Sequence, residues 1–242
     1  MVQEFSESQR IVYYDTEITG CVGIGKLVDM MMLISEDHSA SVGVTNEKVQ
    51  SYGLGWVVTQ HIVDITRLPK ANEIVKITTK AENYNPFFCY RNFWVYDENG
   101  KELAKMHSVF VLMDQTKRKI TRMQPELIEP FEAEYTKKIE RLPLPKGPTV
   151  PDKKQEYKVR FMDIDANQHV NNVHYFDWML DSLGADFLKT HTLKHMNIQY
   201  KQEIYYGQTA ISEAQVDGVN TYHKIRVDDN PNCVAECLWT NN

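Results

Sequence analysis

Residues 172–188 read NVHYFDWMLDSLGADFL, a stretch in which apolar side chains recur three or four positions apart. The residues that this spacing places on one side of a helix are Val173, Phe176, Met179, Leu180 and Leu183. A helix with one apolar side buries that side against another element of the fold. The spacing therefore predicts an amphipathic helix over residues 172–188.

Stretches with β-strand character lie on both sides of this helix. Residues 156–162 precede it, and four stretches bounded by turn residues follow it at 193–203, 208–216, 221–227 and 233–240. The first half of the chain has the same order. Its strand-like stretch lies at 10–14, its helical pattern at 24–41, and its four later stretches at 55–66, 73–83, 87–96 and 102–114. This order indicates a duplicated unit.

Alignment of the two copies shows that their polar residues differ. When Val22 is placed on Val170, the aligned pairs are Glu17 with Asp165, Thr19 with Asn167, and Cys21 with His169. A separate match of residues 71–73 to 207–209 aligns Arg67 with Glu203. The polar cluster of the second copy therefore has no equivalent in the first copy.

Residues 124–154 connect the two copies and differ from them in composition. They hold six of the nine prolines, mixed with charged residues, which is typical of an extended linker. We predict a short helical piece within this linker at 132–140. The predicted organisation is an N-terminal repeat at 1–123, a linker at 124–154 and a C-terminal repeat at 155–242.

Composition and charge exclude several classes of protein. The chain has 242 residues, of which 42% are hydrophobic and 25% charged, as in ordinary globular proteins. The net charge of -6 provides no general attraction for nucleic acid or anionic lipid. No apolar run approaches the roughly 20 residues of a membrane span, and the N-terminus has no signal-peptide core. We therefore expect a cytoplasmic protein that binds neither nucleic acid nor membrane.

Cysteine and histidine spacing gives no metal site. The four cysteines lack paired zinc spacing, and reduced thiols in the core are the simpler interpretation. His191 and His195 lie four apart, but no cysteine or acidic partner completes a zinc pattern. We expect neither a metal nor a cofactor.

The stretch at 162–175 carries the strongest chemical signal. Nine of its fourteen residues are Asp, Asn, Gln, His or Tyr, and they lie between a strand and a helix. Asp165, Asn167 and His169 alternate at a spacing of two, so an extended segment would point them to one side. A histidine can donate a proton at neutral pH, and a nearby carboxylate or amide can orient it. A polar helix start made of capping and turn residues is the alternative.

Two further features lie close to this stretch in the predicted fold. Asn171 or Asn172 suits the first position of the helix, where free backbone N–H groups favour a developing oxyanion. Glu203 ends a strand just before Gly207, and it is either a catalytic carboxylate or a solvated one.

The run DANQHVNNVHY at 165–175, followed by YKQE at 200–203, resembles the catalytic signature of the acyl-acyl carrier protein (acyl-ACP) thioesterases of plants and bacteria. This resemblance implies an α+β double hotdog fold, in which an antiparallel sheet wraps a long helix in each of two tandem repeats. It also implies hydrolysis of fatty acyl-ACP to free fatty acid, with the acyl chain carried on phosphopantetheine. The plant enzymes have a plastid-targeting leader, and the lack of one here points to a bacterial type.

The resemblance also implies site residues. The catalytic Asp, Asn and His of the family fall on Asp165, Asn167 and His169, and its catalytic Glu falls on Glu203. The next position is often Cys in the plant enzymes, but Ile204 here excludes a thiol mechanism at that position. In the implied mechanism Glu203 activates a water and His169 polarises the thioester or protonates the leaving thiolate. Direct attack by the carboxylate through an anhydride stays open.

Substrate contacts are expected in both repeats. The backbone near Asn171 and Asn172 would bind the oxyanion, and the resemblance places the acyl tail in the first repeat, where Met30, Met32 and Ile34 are candidate lining residues. The alternative is that they are core residues, as most residues of this kind are. An acidic carrier protein needs a local cationic surface, for which the candidates are 117–119, 137–138 and 153–154.

Two other functions stay open at this point. An acyl-CoA thioesterase or hydratase of the same fold is the nearest alternative, because fold alone does not choose between these enzymes. A non-catalytic fatty-acyl binding protein is the alternative from another class. The duplication could replace a dimer of single repeats, so both a monomer and a homodimer are compatible with the sequence.

Overall fold

The first half of the chain forms seven strands and three α-helices in the structure, a computed structural model that describes residues 4–242. The strands are β1 Glu4–Arg10, β2 Leu54–Ile65, β3 Ile74–Tyr84, β4 Cys89–Tyr96, β5 Glu102–Asp114, β6 Lys119–Thr121 and β7 Glu134–Tyr135. The helices are α1 Ile24–Ser41, α2 Asn46–Ser51 and α3 Pro125–Ile128.

The second half repeats the order of strand, helix and four strands. Its strands are β8 Lys153–Lys158, β9 His191–Tyr200, β10 Thr209–Asp217, β11 Asn220–Val227 and β12 Asn230–Asn241. Its helices are α4 Val173–Asp181 and α5 Ala185–Thr190. Within the described residues, all the strands belong to one sheet, whose main path is β1-β3-β4-β5-β2-β9-β12-β11-β10-β8. The antiparallel pair of β2 and β9 joins the two repeats.

Helices α1 and α4 pack side by side against this sheet. Their apolar faces are buried in one core, in which Leu27, Met31 and Phe176 are fully buried. The helices approach closely at Gly25, where a Cβ atom would lie 3.2 Å from the Val173 carbonyl oxygen. A sheet that wraps a central helix in each of two repeats is the predicted double hotdog fold, and this prediction is confirmed. No helix among residues 4–242 is long and apolar enough to cross a membrane.

Several predicted helices and strands differ from the observed ones in their bounds. The helix expected at 172–188 is broken into α4 and α5, because Gly184 has a φ of 88° and ends the first helix. The strand expected at 10–14 lies at Glu4–Arg10 instead, and the one expected at 156–162 lies at Lys153–Lys158. A 3-10 turn follows each strand, held in the second copy by a 2.8 Å hydrogen bond from the Arg160 N–H to Asp163 Oδ2.

The hydrogen-bond register fixes how the two copies correspond. The isolated bridges Thr16–Val22 and Ile164–Val170 are equivalent, in agreement with the placement of Val22 on Val170. The match of Arg67 to Glu203 was wrong by one residue. Asn72 donates to the Ile11 carbonyl as Gly207 donates to that of Val159, and both have positive φ. In this register the first-repeat residue equivalent to Glu203 is Leu68.

The linker contains its helical piece earlier than expected. Residues 125–131 are helical, whereas 132–140 contain only β7, so the predicted position was wrong. Leu127 and Phe131 explain the difference, because they are buried in a second, smaller core. Farther along, the Pro143 carbonyl accepts hydrogen bonds from Gln60 and Asn197, which lie on the adjoining strands β2 and β9. The predicted domain boundaries at 123 and 155 stay a prediction.

Candidate active site

A tight turn, and not an extended segment, presents Asp165 and His169. The Asp165 N–H donates to the His169 carbonyl at 3.0 Å, and the Gln168 N–H donates back to the Asp165 carbonyl at 3.0 Å. Gln168 has a φ of 68°, which the turn requires. The expected alternation of three side chains on one face was therefore wrong. The turn instead folds His169 back onto Asp165.

The His169 imidazole lies between two carboxylates. Its Nε2 is 3.6 Å from Glu203 Oε1, and its Nδ1 is 3.9 Å from Asp165 Oδ1. Nδ1 is also 3.2 Å from the Val170 carbonyl oxygen. Because both neighbours of Nδ1 are acceptors, they favour the tautomer with the proton on Nδ1. Nε2 is then the nitrogen that faces Glu203, at a separation that a small movement or a bridging water closes.

Backbone pairing explains why Glu203 meets His169. The Val170 N–H donates to the Ile204 carbonyl at 2.8 Å, which ties the turn to the segment that follows β9. Glu203 lies in this segment and does not end the strand as predicted, because β9 ends at Tyr200. Asn232, which is buried, donates to the Glu203 carbonyl at 3.2 Å and fixes the same chain segment. The carboxylate is largely shielded, since 20% of the Glu203 side chain is exposed.

Two residues that the sequence did not assign to the site also bind the Glu203 carboxylate. Tyr205 donates to its Oε2 at 2.7 Å, and Arg118 forms an ion pair with the same oxygen. Arg118 was predicted only within a carrier-docking cluster. It lies in the other repeat, 85 residues away, so no local pattern could have revealed the contact. With both partners on Oε2, Oε1 is left facing the imidazole.

Asn167 is placed differently from its neighbours in the turn. Its backbone N–H donates to Asp165 Oδ1 at 2.8 Å, whereas its side chain is exposed at the mouth of the site. The structure does not bring the Asn167 amide into a hydrogen bond with His169.

The start of α4 offers one backbone donor to a ligand. The Asn171 N–H donates to the Asp163 carbonyl, and Asn171 Oδ1 accepts from the Val173 N–H at 3.2 Å. Asn172 holds the capping position, and its N–H has no acceptor within residues 4–242. Both asparagines line the same space as His169. Of the predicted pair, Asn172 therefore has the donor that a substrate oxygen could use.

A cleft of about 1860 Å³ extends from this cluster into the first repeat. It runs between α1 and the strands β2 to β5, where Met30, Met32 and Trp56 line it. Ile34, the third predicted lining residue, is fully buried in the core and does not line the cleft. The first repeat therefore provides much of the cleft wall, and the second provides the pair of His169 and Glu203.

Comparison with known proteins assigns the chain to a family. The model of the acyl-ACP thioesterase N-terminal domain matches residues 2–131, and that of the C-terminal domain matches residues 148–241. A palmitoyl-acyl carrier protein thioesterase of Gossypium hirsutum, described as chloroplastic, is 26% identical over 93% of this chain. The chain spans about 60% of the length of that relative.

Solved structures agree with this assignment. A Lactobacillus plantarum protein, provisionally described as an oleoyl thioesterase, is 44% identical with a TM-score of 0.96, over 99% of this chain and 97% of that one. The 12:0-ACP thioesterase of Umbellularia californica has a TM-score of 0.87 at 20% identity, over 99% of this chain and 98% of that one, and so shares the fold. The two family models together cover nearly the whole sequence, and the chain belongs to the acyl-ACP thioesterase family.

Proposed function

We propose that this protein hydrolyses the thioester of fatty acyl-ACP, releasing a free fatty acid and the carrier protein and so ending chain elongation. The observation that carries the proposal is the position of His169 between two carboxylates at the mouth of a long cleft. Thioester hydrolysis requires an activated water, a stabilised oxyanion and a bound acyl chain, and this arrangement has a group for each.

The proposed mechanism assigns one task to each group. Glu203 orients and deprotonates a water through Oε1, and the Asn172 N–H stabilises the oxyanion. The proton that Glu203 takes from water passes to His169 Nε2, and the resulting imidazolium polarises the thioester or protonates the leaving thiolate, while Asp165 orients the ring. Tyr205 and Arg118 both hold Oε2, which leaves Oε1 as the oxygen that meets the water or, in the anhydride route, the thioester carbon.

Asn167 has a different task in this proposal. Its exposed side chain is free to contact the substrate near the thioester, because its amide is not bonded to the imidazole.

Met32 is expected to limit the length of the acyl chain. The variant Met32→Phe places a larger side chain on the cleft wall, and one methylene in an apolar pocket changes selectivity by about 10–200-fold. We expect the released acids to shift to shorter chains, measured by mass spectrometry on a mixed pool of acyl-ACP. The matched control is Met162→Phe, at an exposed methionine outside the cleft. Unchanged acid lengths in both variants would contradict acyl binding at Met32.

Arg118 is expected to act as a positioning residue for Glu203. The variant Arg118→Gln removes a charge-assisted bond of the carboxylate, so we expect kcat to fall by about tenfold or more with a smaller change in KM. Arg118→Lys should restore part of kcat. Lys117→Gln, in the same turn but paired with Asp114, is the matched control. If Arg118→Gln and Lys117→Gln raise KM alike and leave kcat unchanged, Arg118 contributes only to docking of the carrier protein.

The carrier is decided by comparing one acyl chain on two carriers. Release of free thiol from acyl-ACP with a higher kcat/KM than from acyl-CoA supports the proposal. The reverse preference indicates the acyl-CoA thioesterase of the same fold. Tight acyl binding without thiol release indicates a fatty-acyl binding protein.

The cytoplasmic location and the choice between monomer and homodimer stay predictions from the sequence.

A further inference from the structure

Arg91 is a buried cation on the wall of the proposed acyl cleft. It lies on β4, 7% of it is exposed, and it lines the same cleft as His169. Its Nη1 donates to Thr79 Oγ1 at 3.3 Å and lies 3.0 Å from His38 Nδ1. The guanidinium also sits 5.1 Å from the centre of the Phe131 ring.

No anionic group in residues 4–242 pairs with this guanidinium, whose bonds go to neutral groups. Burial lowers the pKa of Arg91 to about 10, so it stays charged at neutral pH. Burial and the nearby Arg91 charge lower the pKa of His38 to about 4, so its ring is neutral. Burial raises the pKa of the neighbouring Cys89 thiol to about 12, so the thiol gives no counter-charge either. His38 Nε2 is also buried without a hydrogen-bond partner in the described chain.

Such a cation costs stability unless something pairs with it. A buried unpaired charge is strongly unfavourable, and an apolar side chain of similar size is often neutral or stabilising in its place. Stability alone therefore gives no reason for a guanidinium at this position. A guanidinium binds a carboxylate through two parallel hydrogen bonds, which would supply the missing charge.

The position of Arg91 suits the far end of a bound alkyl chain. The strands β9, β2, β5 and β4 are successive neighbours in the sheet, and Arg91 lies on the last of them. Three inter-strand spacings separate it from β9 by roughly 14 Å along the sheet. A chain that lies along the cleft from His169 would bring its other end to Arg91.

We infer that Arg91 forms a second polar subsite in the cleft, which binds a carboxylate at the end of an alkyl chain. The inference rests on the proposed function of the cleft as the acyl site. The carboxylate has two potential sources. It is either the far end of an ω-carboxyacyl chain held as a thioester, or the head group of a free fatty acid that enters carboxylate first.

Equilibrium dialysis with two probes of equal length tests the subsite. Dodecanoate carries the carboxylate and dodecanol does not, and both are compared on the wild type, Arg91→Met and Arg91→Lys. We expect Arg91→Met to lose about tenfold or more of the preference for dodecanoate, and Arg91→Lys to retain part of it. Thermal melting confirms that each variant is folded. Equal weakening of both probes, or no change in preference, would overturn the inference.

Two kinetic arms separate the sources. One arm measures kcat/KM for ACP carrying 11-carboxyundecanoyl and for ACP carrying dodecanoyl. If the first value divided by the second falls about tenfold in Arg91→Met, the carboxylate comes from the ω-carboxyacyl chain. The other arm measures inhibition by free dodecanoate, and weaker inhibition of Arg91→Met identifies the fatty acid. If the wild type releases thiol from neither carrier substrate, the proposed function fails, but the dialysis comparison still decides the subsite.

Discussion

Glu203→Gln is expected to reduce kcat by about 10²–10⁴-fold, because the amide keeps the shape of the side chain but cannot take a proton from water. Glutamine can still accept the hydrogen bonds from Tyr205 and Arg118, so the fold around it should persist. The measurement is the release of free thiol from acyl-ACP under single-turnover conditions, together with the thermal midpoint of each variant.

The control for this variant is Glu156→Gln, at an exposed carboxylate on β8 that pairs with Lys154. It should retain wild-type turnover. If Glu203→Gln also hydrolysed acyl-ACP at the wild-type rate while folded, the carboxylate would have no part in the reaction, and the proposed mechanism would be wrong.

His169→Gln is expected to lower kcat by a similar factor of about 10²–10⁴, because its amide can neither shuttle a proton nor carry the positive charge that polarises the thioester. The matched control is His174→Gln, in the same polar run but outside the cleft. Normal turnover in His169→Gln, or equal losses in the two histidine variants, would argue against a specific role for the imidazole.

The double variant of Glu203 and His169 tests whether the two groups act as a unit. Residues that serve one step show losses that are far from additive. We expect kcat of the double variant to be little lower than that of the slower single variant. If the two groups contributed independently, the two losses in kcat would multiply.

Local patterns determined most of the secondary structure. Helix α1 and the four strands after each central helix lie within a few residues of their predicted positions, because periodic apolar spacing reports which side chains face the core. The ends were less accurate. Helix α4 ends early at the positive φ of Gly184, and β8 ends before the turn that the Asp163 hydrogen bond holds. Hydrophobic periodicity reports neither a positive φ nor a side-chain hydrogen bond.

The register between the repeats shows a limit of the same kind. Sequence matching aligned Arg67 with Glu203, whereas the equivalent hydrogen bonds of the two repeats align Leu68 with Glu203. A shift of one residue exchanges which face of a strand a side chain occupies, and weak identity cannot fix it. Either alignment leaves the first repeat without the carboxylate.

The sequence by itself determined the duplicated fold and named the polar residues of the second repeat, since both follow from short-range periodicity and a run of neighbouring residues. Only the tertiary structure decided how those residues meet: the turn at 165–169, the tie of Val170 to Ile204, and the reach of Arg118 across the join between repeats. It also decided that Arg91 is buried and has no anionic partner among residues 4–242. Such contacts join residues far apart in the chain, and chain closure and sheet pairing, which no local pattern encodes, set their geometry.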